Sequence, residues 1–184
     1  MKFWNEKMEC MGADEMRALQ SERLRHIVRY TYDRVAFYRQ RMDEAGVSPD
    51  DIQTIDDIVK LPFMQKKDLR DYYPDGMFAA PMDEIVRFHA SSGTTGKPIV
   101  AAYTAGDIDD WAEGVARCLT AYGVTGKDVA QVSYGYGLFT GGLGAHDGAT
   151  KIGCSVLPTS SGNTAKQIML MKDLGSTVLC CTPS

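Results

Sequence analysis

The chain has 184 residues, roughly one domain plus an appendage, with 20 basic and 24 acidic side chains and a net charge of -4. That near balance provides no basic face to neutralise a phosphate backbone, which argues against nucleic acid as a partner. No apolar run approaches the roughly 18 residues of a membrane span, and acidic Glu6 and Glu9 stand where a signal peptide would be apolar. A soluble, cytoplasmic protein with no membrane partner is expected.

Composition shifts near residue 90: the first 90 residues hold 31 of the 44 charges but only 3 of the 18 glycines. A charged helical lead segment over 1-84 is therefore expected, followed over 85-184 by the first part of a turn-rich α/β domain. In the lead segment Leu24, Ile27, Val28, Val35, Tyr38 and Met42 form a helical stripe ended by Gly46, predicting one long helix or two end to end. Shorter helices are expected at Ser48-Pro49, with proline in the first turn, and over Gln65 to Asp71. Tyr30, Tyr32, Phe37 and Tyr38 exceed what one helical face can bury, which predicts a homodimer formed through this segment.

Strands are expected over Ile85 to His89 and Ile99 to Tyr103. Thr104 with Asp107 makes a capping-box pattern opening a helix in which Ile108, Trp111, Val115, Leu119 and Tyr122 share a face and Gly123 stops the run. Strand Val129 to Ser133, helix Leu138 to Lys151, strand Cys154 to Leu157, helix Thr164 to Leu174 and strand Thr177 to Cys181 then alternate. Such alternation with short turns predicts βαβ units on a parallel sheet. The five cysteines, 10, 118, 154, 180 and 181, show no metal-site spacing and read as buried reduced thiols, with a catalytic cysteine as the alternative.

Two segments carry chemistry. In Ser91-Ser92-Gly93-Thr94-Thr95-Gly96-Lys97-Pro98 the hydroxyls, the two glycines and a lysine supply converging N-H groups, hydroxyl donors and a mobile cation, which suit a polyphosphate. The Walker A spacing is not met, because two residues rather than four separate the glycines and Pro98 stands where Ser or Thr would hold magnesium. Strands on both sides predict a loop that caps a hairpin and folds over its ligand. The second segment, Ser133 to His146, follows a buried strand at its C-terminal end, where open α/β sheets bind ligands. Aromatic rings interleaved with glycine there suit a small planar ligand, the alternative being aromatic packing under a glycine-rich turn. His146 taken alone reads more readily as a structural histidine than as a catalyst.

HASSGTTGKP followed by VSYGYGLFTGGLGAH resembles the N-terminal part of the phenylacetate-coenzyme A ligases, a branch of the adenylate-forming superfamily. The resemblance extends through YDRVAFYRQRMDEAGV, KLPFMQKKDLRDYYPDGMF, GCSVLPTSSG and CCTPS, with Ala36 standing where relatives commonly carry proline. It implies the large N-terminal domain of an adenylate-forming enzyme. The implied reaction joins an aryl acid to coenzyme A through an acyl-adenylate, with ATP as the second substrate. Ser91, Ser92, Gly93, Thr94, Thr95, Gly96 and Lys97 would then hold the phosphates, Lys97 and Thr95 acting in catalysis. Tyr136, Phe139, Gly141 and Gly142 would form the acid pocket, with Tyr134 and His146 as lesser candidates. Such ligases are longer, with Mg2+ ligands, a ribose-binding aspartate and a C-terminal lysine further along. The resemblance therefore predicts a fragment, inactive alone. A coenzyme F390 synthetase-like enzyme, another aryl-acid adenylating enzyme or a non-catalytic nucleotide-binding module are the alternatives.

Overall fold

The computed structural model describes residues 3-91 and 97-182. Its chain divides into two units, one running Cys10-Ala102 and the other combining the first nine residues with those from Tyr103 onward. The boundary expected after residue 84 falls inside the first unit, where the Phe88 ring lies 6.2 Å from that of Phe78.

In the first unit the helical stripe is broken at Val35 into α2 (Ala13-Arg34) and α3 (Ala36-Glu44), after a short α1 (Glu6-Glu9) in the other unit. Val35 is buried and takes extended angles while its N-H still reaches Thr31 O. Ala36 becomes the first residue of α3, the position at which a helix accepts proline. The break therefore survives without proline, secured by burial of the valine. Leu24, Val28, Met42 and Ile52 form the core, with Tyr32, Val47, Ile55 and Leu61 against it. The expected helix at Pro49 is a 3-10 turn, Pro49-Asp51, and a second, Ile55-Lys60, follows; both are closed by capping boxes with Asp51 and Asp57. α4 (Lys66-Asp71) lies where expected. β1 (Ile85-Ala90) and β2 (Val100-Thr104) pair in a two-stranded sheet.

The four aromatic residues of the lead segment all have partners within their own unit. Phe37 is buried with its ring 5.2 Å from Tyr72, and the Tyr32 hydroxyl donates to Asp43 at 2.7 Å. The Tyr30 hydroxyl reaches Ala79 O, and that of Tyr38 reaches Met64 sulfur.

The second unit is the α/β part. α5 (Ala105-Ala121) opens on the expected capping box: Thr104 Oγ1 accepts the Asp107 N-H, and Asp107 accepts the Thr104 N-H at 2.8 Å. β3 (Val129-Val132), α6 (Thr140-Ile152), β4 (Ser155-Leu157), α7 (Thr164-Asp173) and β5 (Val178-Cys180) follow. The sheet order is β4-β3-β5 with both pairings parallel, Ala130 facing Val156 on one side and Val178 on the other. Parallel strands need buried crossovers, and α6 and α7 provide them.

The buried face of α5 differs from the expected one. Ala112, Ala116 and Thr120 are buried, whereas Tyr122 is 89% exposed at the helix end. The reason lies on α6. A Cβ at Gly144 would stand 2.7 Å from the Trp111 ring, and one at Gly148 would stand 2.3 Å from Val115 Cγ1. These two glycines leave gaps on α6 that the Trp111 ring and Val115 of α5 occupy, so glycine on one helix meets large side chains on the other and the helices approach closely. Among the cysteines, Cys154 is buried but Cys10 and Cys118 are exposed, so the expectation of five buried thiols holds only in part. Among the described residues no helix is long and apolar enough to cross a membrane.

Candidate active site at the strand tips

The turns after β3 and β4 meet at the C-terminal ends of these strands, and a polar network joins them. Gln131, in the middle of the central strand, is 0% exposed; its amide oxygen accepts from the Ser176 hydroxyl at 3.0 Å, and its Nε2 donates to Gln167 O at 3.4 Å. Gln167 on α7 accepts the Ser133 hydroxyl at 2.6 Å and donates to Ser160 O and Gly162 O at 3.0 and 2.6 Å. Thr159 Oγ1 donates to Val132 O at 3.1 Å. Buried amides satisfied in this way hold the tip of β3 to the turn after β4. That turn is unusual because Ser160 and Asn163 both have positive φ without being glycine, at 61° and 49°. Left-handed backbone at non-glycine residues costs about 1-3 kcal/mol each and marks sites where the surroundings dictate the conformation. Asn163 also caps α7, its side chain accepting the Lys166 N-H. A cavity of about 280 Å³ opens at this turn, lined by Leu157, Thr159, Ser161, Asn163, Lys166 and Leu170.

The aromatic segment crosses the same strand tips. The Tyr134 hydroxyl donates to Cys181 O at 3.0 Å, tying the segment to the end of β5. The Tyr136 hydroxyl lies 3.3 Å from His146 Nδ1 and its amide donates to Ser160 Oγ at 3.4 Å. Burial, with Cys180 and Asp147 nearby, pushes the Tyr136 phenol upward, so it stays protonated at neutral pH. α6 starts at Thr140 rather than Leu138, which makes Phe139 its N-cap residue and leaves that side chain 59% exposed. Tyr136 and Phe139 are therefore differently placed, one held in the network and one standing in the open.

The two glycines assigned to the acid pocket also differ. A Cβ at Gly141 would make ordinary contact with the Tyr134 ring at 3.5 Å, whereas one at Gly142 would stand 2.7 Å from the Gly135 carbonyl oxygen. Gly142 thus serves a close approach of helix to loop backbone.

Of the Ser/Thr/Gly loop, Ser92, Gly93, Thr94, Thr95 and Gly96 lie outside the described residues. Its two ends are placed. Ser91 closes the base: its N-H donates to Ile99 O and its hydroxyl accepts the Ile99 N-H, both at 2.9 Å. The Lys97 ammonium lies over the Tyr73 ring, 5.3 Å from its centre, a cation-π contact worth about 0.5-1 kcal/mol at an exposed site. Among the described residues no group of three or more His, Cys, Asp or Glu side chains is arranged to hold a metal ion.

Sequence reasoning missed Gln131, Thr159, Ser160 and Gln167. One signal was present, a lone amide in the apolar run VAQV.

A parallel sheet with these tips is the fold of the adenylate-forming acyl-coenzyme A ligases. A crystal structure of 2-hydroxyisobutyryl-CoA ligase in complex with 2-HIB-AMP and CoA superimposes with a TM-score of 0.89 and 26% identity, over 96% of this chain and 39% of that one. In sequence the chain is similar to named phenylacetate-coenzyme A ligases: 53% identical over 179 residues to that of Aromatoleum evansii, 53% over 177 to that of Pseudomonas putida and 49% over 182 to that of Thermus thermophilus. These matches cover 96-99% of this chain, which spans about two-fifths of the length of the curated relatives it matches. No protein-family model matches the chain.

Proposed function

We propose that this chain is part of an ATP-dependent acid-thiol ligase acting on phenylacetate or a closely related aryl acid. The observation that carries this reading is identity of 49-53% to phenylacetate-coenzyme A ligases along nearly the whole chain, both chemical motifs included. In the first step the acid's carboxylate oxygen attacks the α-phosphorus of ATP, and the bond to the bridging oxygen breaks to release pyrophosphate. In the second, the coenzyme A thiolate attacks the acyl carbon and AMP leaves.

Charge developing on phosphate oxygens is stabilised chiefly by donors and cations already in place. Lys97 is the cation of the loop, and its exchange of the Tyr73 face for phosphate gives up only a weak contact. Ser91 spends its oxygen lone pair on Ile99 and retains its proton for a phosphate oxygen. Thr95 and the neighbouring hydroxyls and amides complete the cradle. Tyr136 and Phe139 contact the aryl ring, Tyr136 from a fixed position and Phe139 from an exposed one that closes on the guest. On this reading ATP enters with Mg2+, which neutralises charge on its phosphates. A cytoplasmic setting fits five cysteines that are all free thiols.

The test is acid-dependent exchange of labelled pyrophosphate into ATP by the longer protein that carries this chain. Phenylacetate should support exchange, and Lys97→Ala should slow it by roughly 30- to 150-fold, the equivalent of about 2-3 kcal/mol for a charge-assisted contact. Exchange that is absent with aryl acids, or unchanged in the variant, overturns the reading.

A further inference from the structure

Tyr136 is gripped at both ends. Its backbone N-H is bound by Ser160 Oγ in the strained turn after β4, and its hydroxyl meets His146 Nδ1 ten residues further along the chain, on α6. The two rings stand at 89° with centroids 6.0 Å apart, an edge arrangement that accompanies the contact at the phenol hydroxyl. The distance between loop and helix cannot drift, because Gly142, one turn before His146, seats α6 against the Gly135 carbonyl with no room for a side chain. His146 is only half-buried and borders an open groove of about 410 Å³ that also touches Ile108, Asp109, Thr150 and Lys151. Packing alone therefore does not fix the imidazole; its bond to Tyr136 does.

We propose that His146 is a positioning residue for recognition of the acid: through Nδ1 it holds the Tyr136 ring in one orientation toward the guest. This inference rests on the reading that Tyr136 lines the acid site.

The experiment compares wild type, His146→Leu, Tyr136→Phe, the double variant and His146→Asn in the full-length ligase, with phenylacetate as substrate. Loss of the bond should raise the phenylacetate KM about threefold to tenfold in either single variant, with kcat and the ATP KM within about twofold. The double variant should be no worse than the singles, because both remove one interaction. His146→Asn, whose amide lies where Nδ1 lay, should restore most of the affinity. An additive double variant, an unchanged KM in His146→Leu, or a His146 Nδ1 resonance that does not move on Tyr136→Phe overturns the proposal. A wild-type enzyme inactive with phenylacetate overturns instead the reading beneath it.

Discussion

The two units of the molecule solve the same packing problem with opposite materials. In the unit running Cys10-Ala102, apolar residues of α2 and α3 make a conventional core and the charges decorate its outside. Arg17 pairs with Asp56, Arg29 with Asp50, Lys60 with Asp57 and Lys67 with Asp71, nearly all of these side chains about half exposed or more. In the α/β unit glycine and alanine set the spacing of α5 and α6, amides are buried at the strand tips, and the pair Glu113-Arg117 is mostly shielded. Exposed pairs contribute little and can be lost one by one, whereas a glycine at a helix seam or a buried carboxylate has no substitute. The α/β unit should accordingly respond to single changes several times more strongly than the lead unit.

The strongest test of that contrast is Gly148→Val. Its Cβ would overlap Val115 Cγ1 at 2.3 Å and sit 3.3 Å from the Ala116 backbone nitrogen, so α5 and α6 must separate. A loss of about 3 kcal/mol is expected, at the upper end for overpacked sites, read as a lower urea midpoint with unchanged slope. Gly141→Ala is the control on the same helix, since its Cβ meets only ordinary contacts and alanine favours the helix. If both variants were equally stable, the seam would not be held by its glycines.

Glu113 comes next in size. It accepts from Asn5 Nδ2 at 2.9 Å, Trp4 Nε1 at 2.6 Å and Arg117 at 3.0 Å, and these bonds, Asn5 foremost, hold its carboxyl down at about 2 against an ordinary 4.5. A carboxylate lowered in the folded state stabilises fully above its unfolded value and loses that contribution as pH falls toward the folded one. Between about pH 4.5 and 2 the unit should lose on the order of 2 kcal/mol from this group, its side chain being 21% exposed. Glu113→Gln should flatten that part of the pH-stability curve and release Trp4, visible as a red-shifted fluorescence. A curve of the same shape in the variant would show that the carboxylate is not what holds the first residues to α5.

The sequence makes the elements of both units legible because their signals are local: the Thr104-Asp107 box, Pro49 in its turn, the alternation after residue 129. What it conceals is set by partners distant along the chain. Gln131 and Ser176 are 45 positions apart, Ser133 and Gln167 are 34, and no spacing rule links them. The exposed place of Phe139 was hidden by a two-residue shift in the start of α6, which makes it the N-cap residue. Gly142 was recognised as necessary for close backbone approach, and the structure adds a partner that spacing does not reveal, the Gly135 carbonyl. The partners of Tyr30, Tyr32, Phe37 and Tyr38 are likewise distant, Ala79, Asp43, Tyr72 and Met64 lying 11 to 49 positions away.

The smallest effect belongs to the ion pairs of the lead unit, and it decides whether their number matters. Arg29 and Asp50 have side chains 50% and 82% exposed, and Arg17 and Asp56 are similar. In water such a pair gains about 1 kcal/mol of Coulomb energy at 4 Å and spends most of it on ordering two long side chains. Arg29→Gln should therefore change stability by no more than about 0.5 kcal/mol, and Arg17→Gln by the same, with a double variant near the sum because the pairs share no partner. Salt provides the second readout. Raising ionic strength to 1 M, where the screening length is about 3 Å, should move wild type and the double variant by nearly equal amounts. A double variant that loses more than about 2 kcal/mol, or whose deficit disappears in salt, would make these pairs a cooperative network, and the lead unit would then depend on its surface as the α/β unit depends on its seam.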